Sequence, residues 1–447
     1  MKVVIIGAVA AGMSAASKLK RNLKDQAEIT VYEKGGEVSY GACGIPFYIS
    51  GRIRDGKDLT ARTAEEFAEI GIPIRTFHEV LSVDTDRKTV LVRNLKTGEE
   101  FTDTYDRLVI GSGAAVRRFP PFDKACENLF EIRNVADGTR VRKALEKESA
   151  CHVVIVGAGF IGLEVAEACR SWKKKVTVVE LADQVLPAFD REVGQALREE
   201  LERNGVEVRT GCRVTELKSE NGRITAAVIE TEDGRTQELP ADIVINSAGI
   251  APVTGFIQTA EKAKNGAILV NERMETSVPD VYAAGDCSVM RSAVTGEYTY
   301  APLGTNANKQ GRIIGDVLAG IEPKPFKLIG SSALRLFGLD AAKVGVSERE
   351  AAAAGMDYKA HTITGNSYAS YYGTEKLNIK VIYDRATRKI LGAEAWGQGT
   401  VVPRANYYAI AISAGLTVDE MGFMDLCYSP PFSGVWDAAL IASNTAK

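Results

Sequence analysis

A strand, a glycine turn and a helix occur twice in this chain, 150 residues apart from Gly7 to Gly157. The first copy runs through Val3-Val4-Ile5-Ile6, turns at Gly7-Ala8-Val9-Ala10-Ala11-Gly12, continues as a small-residue helix to Lys20 and returns as Ile29-Thr30-Val31-Tyr32-Glu33. The second runs through Val153-Val154-Ile155-Val156, Gly157-Ala158-Gly159-Phe160-Ile161-Gly162, a helix to Arg170 and Val176-Thr177-Val178-Val179-Glu180. In such a unit the first glycine permits the tight turn and the last lets helix and strand pack closely. The free N–H groups of the helix N-terminus face a pyrophosphate, and the acid ending the second strand accepts ribose hydroxyls. Val9 replaces the middle glycine of the first turn, whereas the second turn is intact. Glu180 repels a 2′-phosphate, which favours NADH over NADPH. Lys173, Lys174 and Lys175, just before that strand, are either a solvated loop or an opening to NADPH.

At 447 residues the chain exceeds one ordinary core and divides into about three units, at on the order of 100–200 residues per domain. A net charge of −3, with Lys and Arg spread throughout, gives no basic face for nucleic acid and no polybasic membrane patch. No apolar run reaches the ~18 residues that span a bilayer. The segment Lys2 to Ala16 has the length of a short signal peptide but reads as strand, turn and helix start. Cysteines at 43, 126, 151, 169, 212, 287 and 427 form neither a CxxC pair nor a Cys/His cluster, so no metal site and a reducing, cytoplasmic setting are expected.

Cys43 stands alone in Ser39-Tyr40-Gly41-Ala42-Cys43-Gly44-Ile45-Pro46, with Tyr48 five residues on, where a redox partner thiol would sit. A lone active cysteine closes no internal disulfide and instead carries an external one, a persulfide or a sulfenic acid. The alternative is a small buried hydrophobe. Gly44-Ile45-Pro46 predicts a helix start, whose dipole would lower the thiol pKa and give a thiolate near neutral pH. Cys151, Cys169 and Cys212 are expected to pack inside the second unit. The segment Thr276-Ser277-Val278-Pro279-Asp280-Val281-Tyr282-Ala283-Ala284-Gly285-Asp286-Cys287 reads as a turn and an apolar strand ending in Gly-Asp. Asp286 either hydrogen-bonds a polyol or caps a following helix.

Taken in order, the Gly7 to Glu33 unit, Tyr105-Asp106-Arg107-Leu108-Val109-Ile110-Gly111-Ser112-Gly113, the Gly157 to Glu180 unit and Thr276 to Cys287 resemble the FAD/NAD(P)-dependent pyridine nucleotide-disulfide oxidoreductases over essentially the whole chain. Cys43, Ala369-Ser370-Tyr371-Tyr372-Gly373 and Tyr428-Ser429-Pro430-Pro431-Phe432 are similar to its single-cysteine branch: coenzyme A-disulfide reductases, NADH persulfide or polysulfide reductases, NADH oxidases and NADH peroxidase. The resemblance implies an α/β chain with two Rossmann-like domains and a C-terminal α+β dimerisation domain. FAD would occupy 1–115 with 245–325, NAD(P)H 116–244, and a homodimer interface 326–447. Independently, Asn378 to Tyr383 and Ile390 to Ala395 alternate like paired strands, and two helical stretches follow.

By the same resemblance, FAD is held by Gly7, Val9, Ala10, Ala11, Gly12, Glu33, Lys34, Ser112, Gly113, Gly249, Gly285, Asp286, Pro302, Leu303 and Thr305. NAD(P)H is held by Gly157, Gly159, Phe160, Ile161, Gly162, Glu164 and Glu180. Phe160 is either a ring shielding the flavin or a cap on the sheet, and Glu164 either meets nicotinamide or is solvated. Tyr371 and Tyr428 are either acids for a leaving thiolate, Tyr428 acting across the dimer, or buried core residues. Val9-Ala10-Ala11 lacks the histidine that peroxide-handling members carry in this turn, and His78, His152 and His361 fall in no motif, which favours a sulfur substrate. Ser39 matches a coenzyme A-binding position, Ala42 stands where asparagine is common, and Trp436 stands near where a lysine meets the phosphates. Lys18 and Arg21 either pair with the ADP part or are solvated. Coenzyme A disulfide, a persulfide or polysulfide, and oxygen all stay open as acceptors. So does a protein electron carrier, with Cys43 then structural.

Overall fold

The computed structural model describes residues 1–373 and 375–447. Its first sheet is parallel, in the order Val281–Ala283, Arg107–Ile110, Lys2–Ile6, Glu28–Glu33, Ile74–Thr76. The central strand is covered on both faces, which is why its sequence is a continuous β-branched run rather than an alternating one. Leu19 and Ile314 from the helices Ala10–Leu23 and Gly304–Val317 share its core with Val80, Val90 and Val92 of an antiparallel meander, His78–Asp84, Thr89–Asn94 and Glu100–Thr104. The two helices approach backbone to backbone. A Cβ on Gly311 would strike the Ala11 carbonyl, and one on Gly315 would lie 2.6 Å from Lys18 Cβ.

The second sheet repeats the device, in the order Val206–Arg209, Lys175–Val179, His152–Val156, Ile243–Asn246, Leu129–Glu131, all parallel. A second meander, Cys212–Glu220, Arg223–Thr231 and Thr236–Pro240, joins it. Both sheets are Rossmann-like. The chain then returns to the first sheet, whose edge strand Val281–Ala283 pairs with Arg107–Ile110. Ser288–Arg291 follows Asp286 as a strand, so Asp286 caps no helix.

The third sheet is antiparallel: Ser332–Leu336, Leu339–Gly345, Ile390–Gly397, Lys376–Asp384, Tyr358–Asn366. The expected strand pair forms, and Asp384 accepts the Ala386 and Thr387 N–H groups in its connection. Three helices follow rather than two: Val401–Ala414, Val418–Gly422 and Ala438–Asn444. The third opens on Asp437 after the tail, a polar cap with no apolar run long enough to announce it. No helix among the described residues is long and apolar enough to cross a membrane.

Candidate active site

The two glycine turns are near copies. Gly7 and Gly157 take φ of +96° and +101°, a region open to glycine at little cost. A Cβ on Gly12 or Gly162 would collide with the carbonyl oxygen of Gly7 or Gly157. Helices Ala10–Leu23 and Phe160–Ser171 begin at Val9 and Gly159 with no side-chain cap among the described residues, so their first N–H groups stay available to an anion. Glu33 accepts N–H bonds from Ala8 (2.8 Å) and Gly35 (2.7 Å), and Glu180 from Ala158 (2.6 Å) and Ala182 (2.8 Å). Each carboxylate oxygen keeps a lone pair for a ribose hydroxyl. A Cβ on Gly159 would meet nothing within 4 Å, so the turn opens onto free space. On these grounds both turns fit a dinucleotide.

Further segments gather at the first turn. The Ser39 N–H donates to the Ala8 carbonyl (2.8 Å). The N–H of Gly285 (φ +81°) donates to Gln310 Oε1 (2.7 Å), and the residue lies against Ala11 and Ala307, beside the uncapped start of Gly304–Val317 at Leu303. Pro302 precedes that start, and Thr305 is exposed in its first turn. Gly113 and Gly249 take positive φ, and Ser112 Oγ donates to the Val253 carbonyl (2.6 Å). Lys34 pairs with Glu79 (2.7 Å).

Cys43 lies in the single 3-10 turn Ala42–Gly44 that leads into the helix Ile45–Ile49, as the Gly-Ile-Pro run predicts. Its residue is exposed, which excludes a packing role. The expected lowering of the thiol pKa does not hold. Although the residue reaches solvent, the protein around its sulfur desolvates it and pushes the thiol up, and the carboxylates of Glu164 and Asp286 push it further. The opposing influence, a hydrogen bond from its own backbone N–H, is weaker than each of these. Glu164, in the second turn's helix, is itself pushed up to about 7 by burial and by Glu167. It lines a cavity of about 560 Å³ with Phe47, Arg52, Ile53, Leu334 and Val402 among its walls. Tyr48 is core, its hydroxyl 3.2 Å from Thr139 Oγ1 and its ring beneath Arg142.

Sequence reasoning missed Arg133, whose guanidinium bonds Asp286 Oδ2 at 3.2 Å. It also missed Arg142, which donates to the carbonyls of Tyr48, Ile53 and Arg54 and fixes the end of the Cys43 helix. Neither lies in a motif, and no local signal marks them. Lys18 pairs with Asp316 on the neighbouring helix at 3.0 Å, while Arg21 is exposed. Cys151 is corrected, being exposed, whereas Cys169, Cys212 and Cys287 are buried. Phe160 is half-buried in edge contact with Phe189, Ile161 packs on the second core, and Ala42 is exposed. Tyr371 and Tyr428 are not core residues: their hydroxyls lie 3.2 Å apart at the surface of the C-terminal unit, bonded to no residue of the Cys43 loop among those described. Trp436 is also exposed there, in edge contact with Phe423.

Residues 1–311 match the family profile described as pyridine nucleotide-disulphide oxidoreductase, and residues 332–440 its dimerisation domain. An NADH oxidase of Enterococcus faecalis is 32% identical, with 100% of this chain and 99% of that protein covered. A coenzyme A disulfide reductase of Staphylococcus aureus is 30% identical, with 100% of each covered. The solved structure of a NAD-dependent persulfide reductase from A. fulgidus superposes with a TM-score of 0.93 at 35% identity, covering 99% of this chain and 82% of that one.

Proposed function

This chain belongs to the pyridine nucleotide-disulphide oxidoreductases, a family of FAD-dependent NAD(P)H oxidoreductases, and from that premise we propose that it reduces a sulfur substrate through Cys43. The substrate class is a coenzyme A disulfide, coenzyme A persulfide or polysulfide. The observation that carries this reading is the placement of Cys43. It is an accessible thiol close enough to feel the charges of both Asp286, beside the first turn, and Glu164, on the helix of the second, with a core tyrosine where a partner thiol would stand.

The first turn and Glu33, with Ser112, Gly113, Gly249, Gly285, Asp286 and the Pro302 to Thr305 helix start, hold FAD in this reading. The second turn and Glu180 hold NADH in preference to NADPH, because two carboxylate oxygens at the ribose disfavour a 2′-phosphate. Bound FAD supplies two-electron exchange between a dihydronicotinamide and sulfur. Cys43 takes one half of a disulfide substrate as a mixed disulfide and releases the other half as a thiol. A hydride from NADH, which brings two electrons and one hydrogen, and one proton from solvent then release the second thiol and restore the Cys43 thiol. Glu164 exchanges protons beside the sulfur near neutral pH. Across a homodimer, the Tyr371 and Tyr428 hydroxyls donate to the leaving thiolate. The division into 1–115 with 245–325, 116–244 and 326–447 is part of the same proposal.

Oxygen reduction through the same thiol is the second reading, favoured by the activity for which the Enterococcus faecalis relative is named. Wild-type and Cys43→Ser proteins are compared anaerobically with coenzyme A disulfide, coenzyme A persulfide and polysulfide, and in air. NADH should bleach the flavin in both, whereas disulfide turnover should fall by at least ~10²-fold in Cys43→Ser, a scale typical of losing a nucleophile. Undiminished disulfide turnover by that variant sinks the thiol reading. Wild-type activity with oxygen alone selects the second reading.

A further inference from the structure

Arg404, 2% exposed in the helix Val401–Ala414, joins separated pieces of the C-terminal unit through its guanidinium. Nε and Nη2 donate to Asp437 Oδ1 (3.1 Å) and Oδ2 (2.8 Å). Nη2 also donates to the carbonyls of Ser367 (3.0 Å) and Phe432 (3.3 Å), and Nη1 to that of Thr400 (3.0 Å). Ser367 opens the loop that carries Tyr371, and Phe432 belongs to the tail that carries Tyr428. Loop and tail also touch directly, the Ala369 N–H donating to the Pro430 carbonyl (3.3 Å). Asp437 then caps the closing helix by accepting the Ala439 N–H (2.8 Å). Loop and tail are thus fixed from beneath, while the hydroxyls they carry meet at the surface, with Tyr371 76% exposed. A planar fork of donors can satisfy one carboxylate and three carbonyls together, and a lysine ammonium cannot reach them all.

We propose that Arg404 is a positioning residue that sets the placement of the Tyr371 and Tyr428 hydroxyls presented to the Cys43 site of a second copy of the chain. The proposal rests on the thiol reading and deepens it. The donors for the leaving sulfur are held in place by an arginine that touches neither substrate nor thiol.

The test uses FAD-loaded Arg404→Lys protein, which keeps a cation beside Asp437, with Asp437→Asn as the second variant. Hydrogen exchange should rise in residues 367–373 and 428–437 and stay unchanged at the two glycine turns. Flavin bleaching by NADH should keep its wild-type rate, while turnover with coenzyme A disulfide falls by ~10²-fold, the scale of a 1 Å misplacement. Tyr428→Phe added to Arg404→Lys should cost little more, because both remove the same contribution. Mixed dimers of Cys43→Ser and Arg404→Lys should exceed either parent in turnover, since one of their sites combines an intact thiol with an intact loop and tail. Unchanged exchange in both segments, equal slowing of NADH bleaching, or mixed dimers no better than their parents overturns the proposal. Undiminished turnover by Cys43→Ser alone removes the thiol reading, and this role of Arg404 with it.

Discussion

Cys43 is held against ionisation by burial first and then by Glu164 and Asp286, so its reactivity is set by charges that arrive from other segments. Glu164 ionises near pH 7, and above that pH its charge opposes a thiolate. Glu164→Gln removes this charge, and the midpoint of iodoacetamide alkylation at Cys43 should move to lower pH. An unmoved midpoint means that Glu164 does not act on the sulfur. The lone thiol and its helix start were legible in Cys43-Gly44-Ile45-Pro46, because a proline in a first turn is a local signal. Its electrostatics were not. Glu164 stands 121 positions away and Asp286 stands 243 away, and nothing in a single sequence fixes which way they face.

The glycine turns were legible for a different reason. Gly7 and Gly157 are required by their own backbone φ, and Gly12 and Gly162 by a neighbour five residues back. Gly311 belongs to a packing contact that only the structure reveals. Alanine there would gain up to about 1 kcal/mol of helix propensity. Its Cβ would strike the Ala11 carbonyl and lie 2.9 Å from Ser14 Cβ and 3.0 Å from Ala15 N. Backbone cannot yield as a flexible side chain does, so overpacking wins. Gly311→Ala should lower stability by about 1–3 kcal/mol, read as a fall in Tm and weakened FAD retention. A raised Tm would mean that the helices are not in backbone contact. Three C-terminal helices form where two were expected, because Val418–Gly422 and Ala438–Asn444 are five and seven residues long, too short to display a helical period, and the latter owes its start to Asp437, itself held by Arg404.

At the scale of the whole molecule, a buried charge cluster fastens the second unit to the C-terminal sheet. Glu394, fully buried, accepts the Asp190 N–H with both oxygens, at 3.0 and 3.2 Å. Lys380 meets Asp190, Glu192 and Glu348, and Lys343 bonds Glu350 and the Ala188 carbonyl. Burial, then Asp190, pushes the Glu394 carboxyl up to about 8, against the lowering by the Asp190 N–H, Lys343 and Lys380. The folded chain therefore holds a proton that the unfolded chain has released above about 4.5. Stability from this group is complete below that pH and is lost as pH rises towards 8, at about 1.4 kcal/mol per pH unit. The Tm of Glu394→Gln should accordingly fall less than that of wild type between pH 5 and 8. Parallel pH profiles would refute the shift.

The sequence by itself determined the two nucleotide-binding turns, their terminal acids, the solitary Cys43 and the strand pair near residue 380. Each is a constraint between residues close in the chain, written as a required φ, a missing side chain or a period of two. Only the tertiary structure decided that Lys18 belongs to Asp316, that Arg133 reaches Asp286 across 153 positions, and that Arg404 binds the Tyr371 loop to the Tyr428 tail. These contacts depend on how units pack, and long charged side chains reach whichever partner that packing brings near.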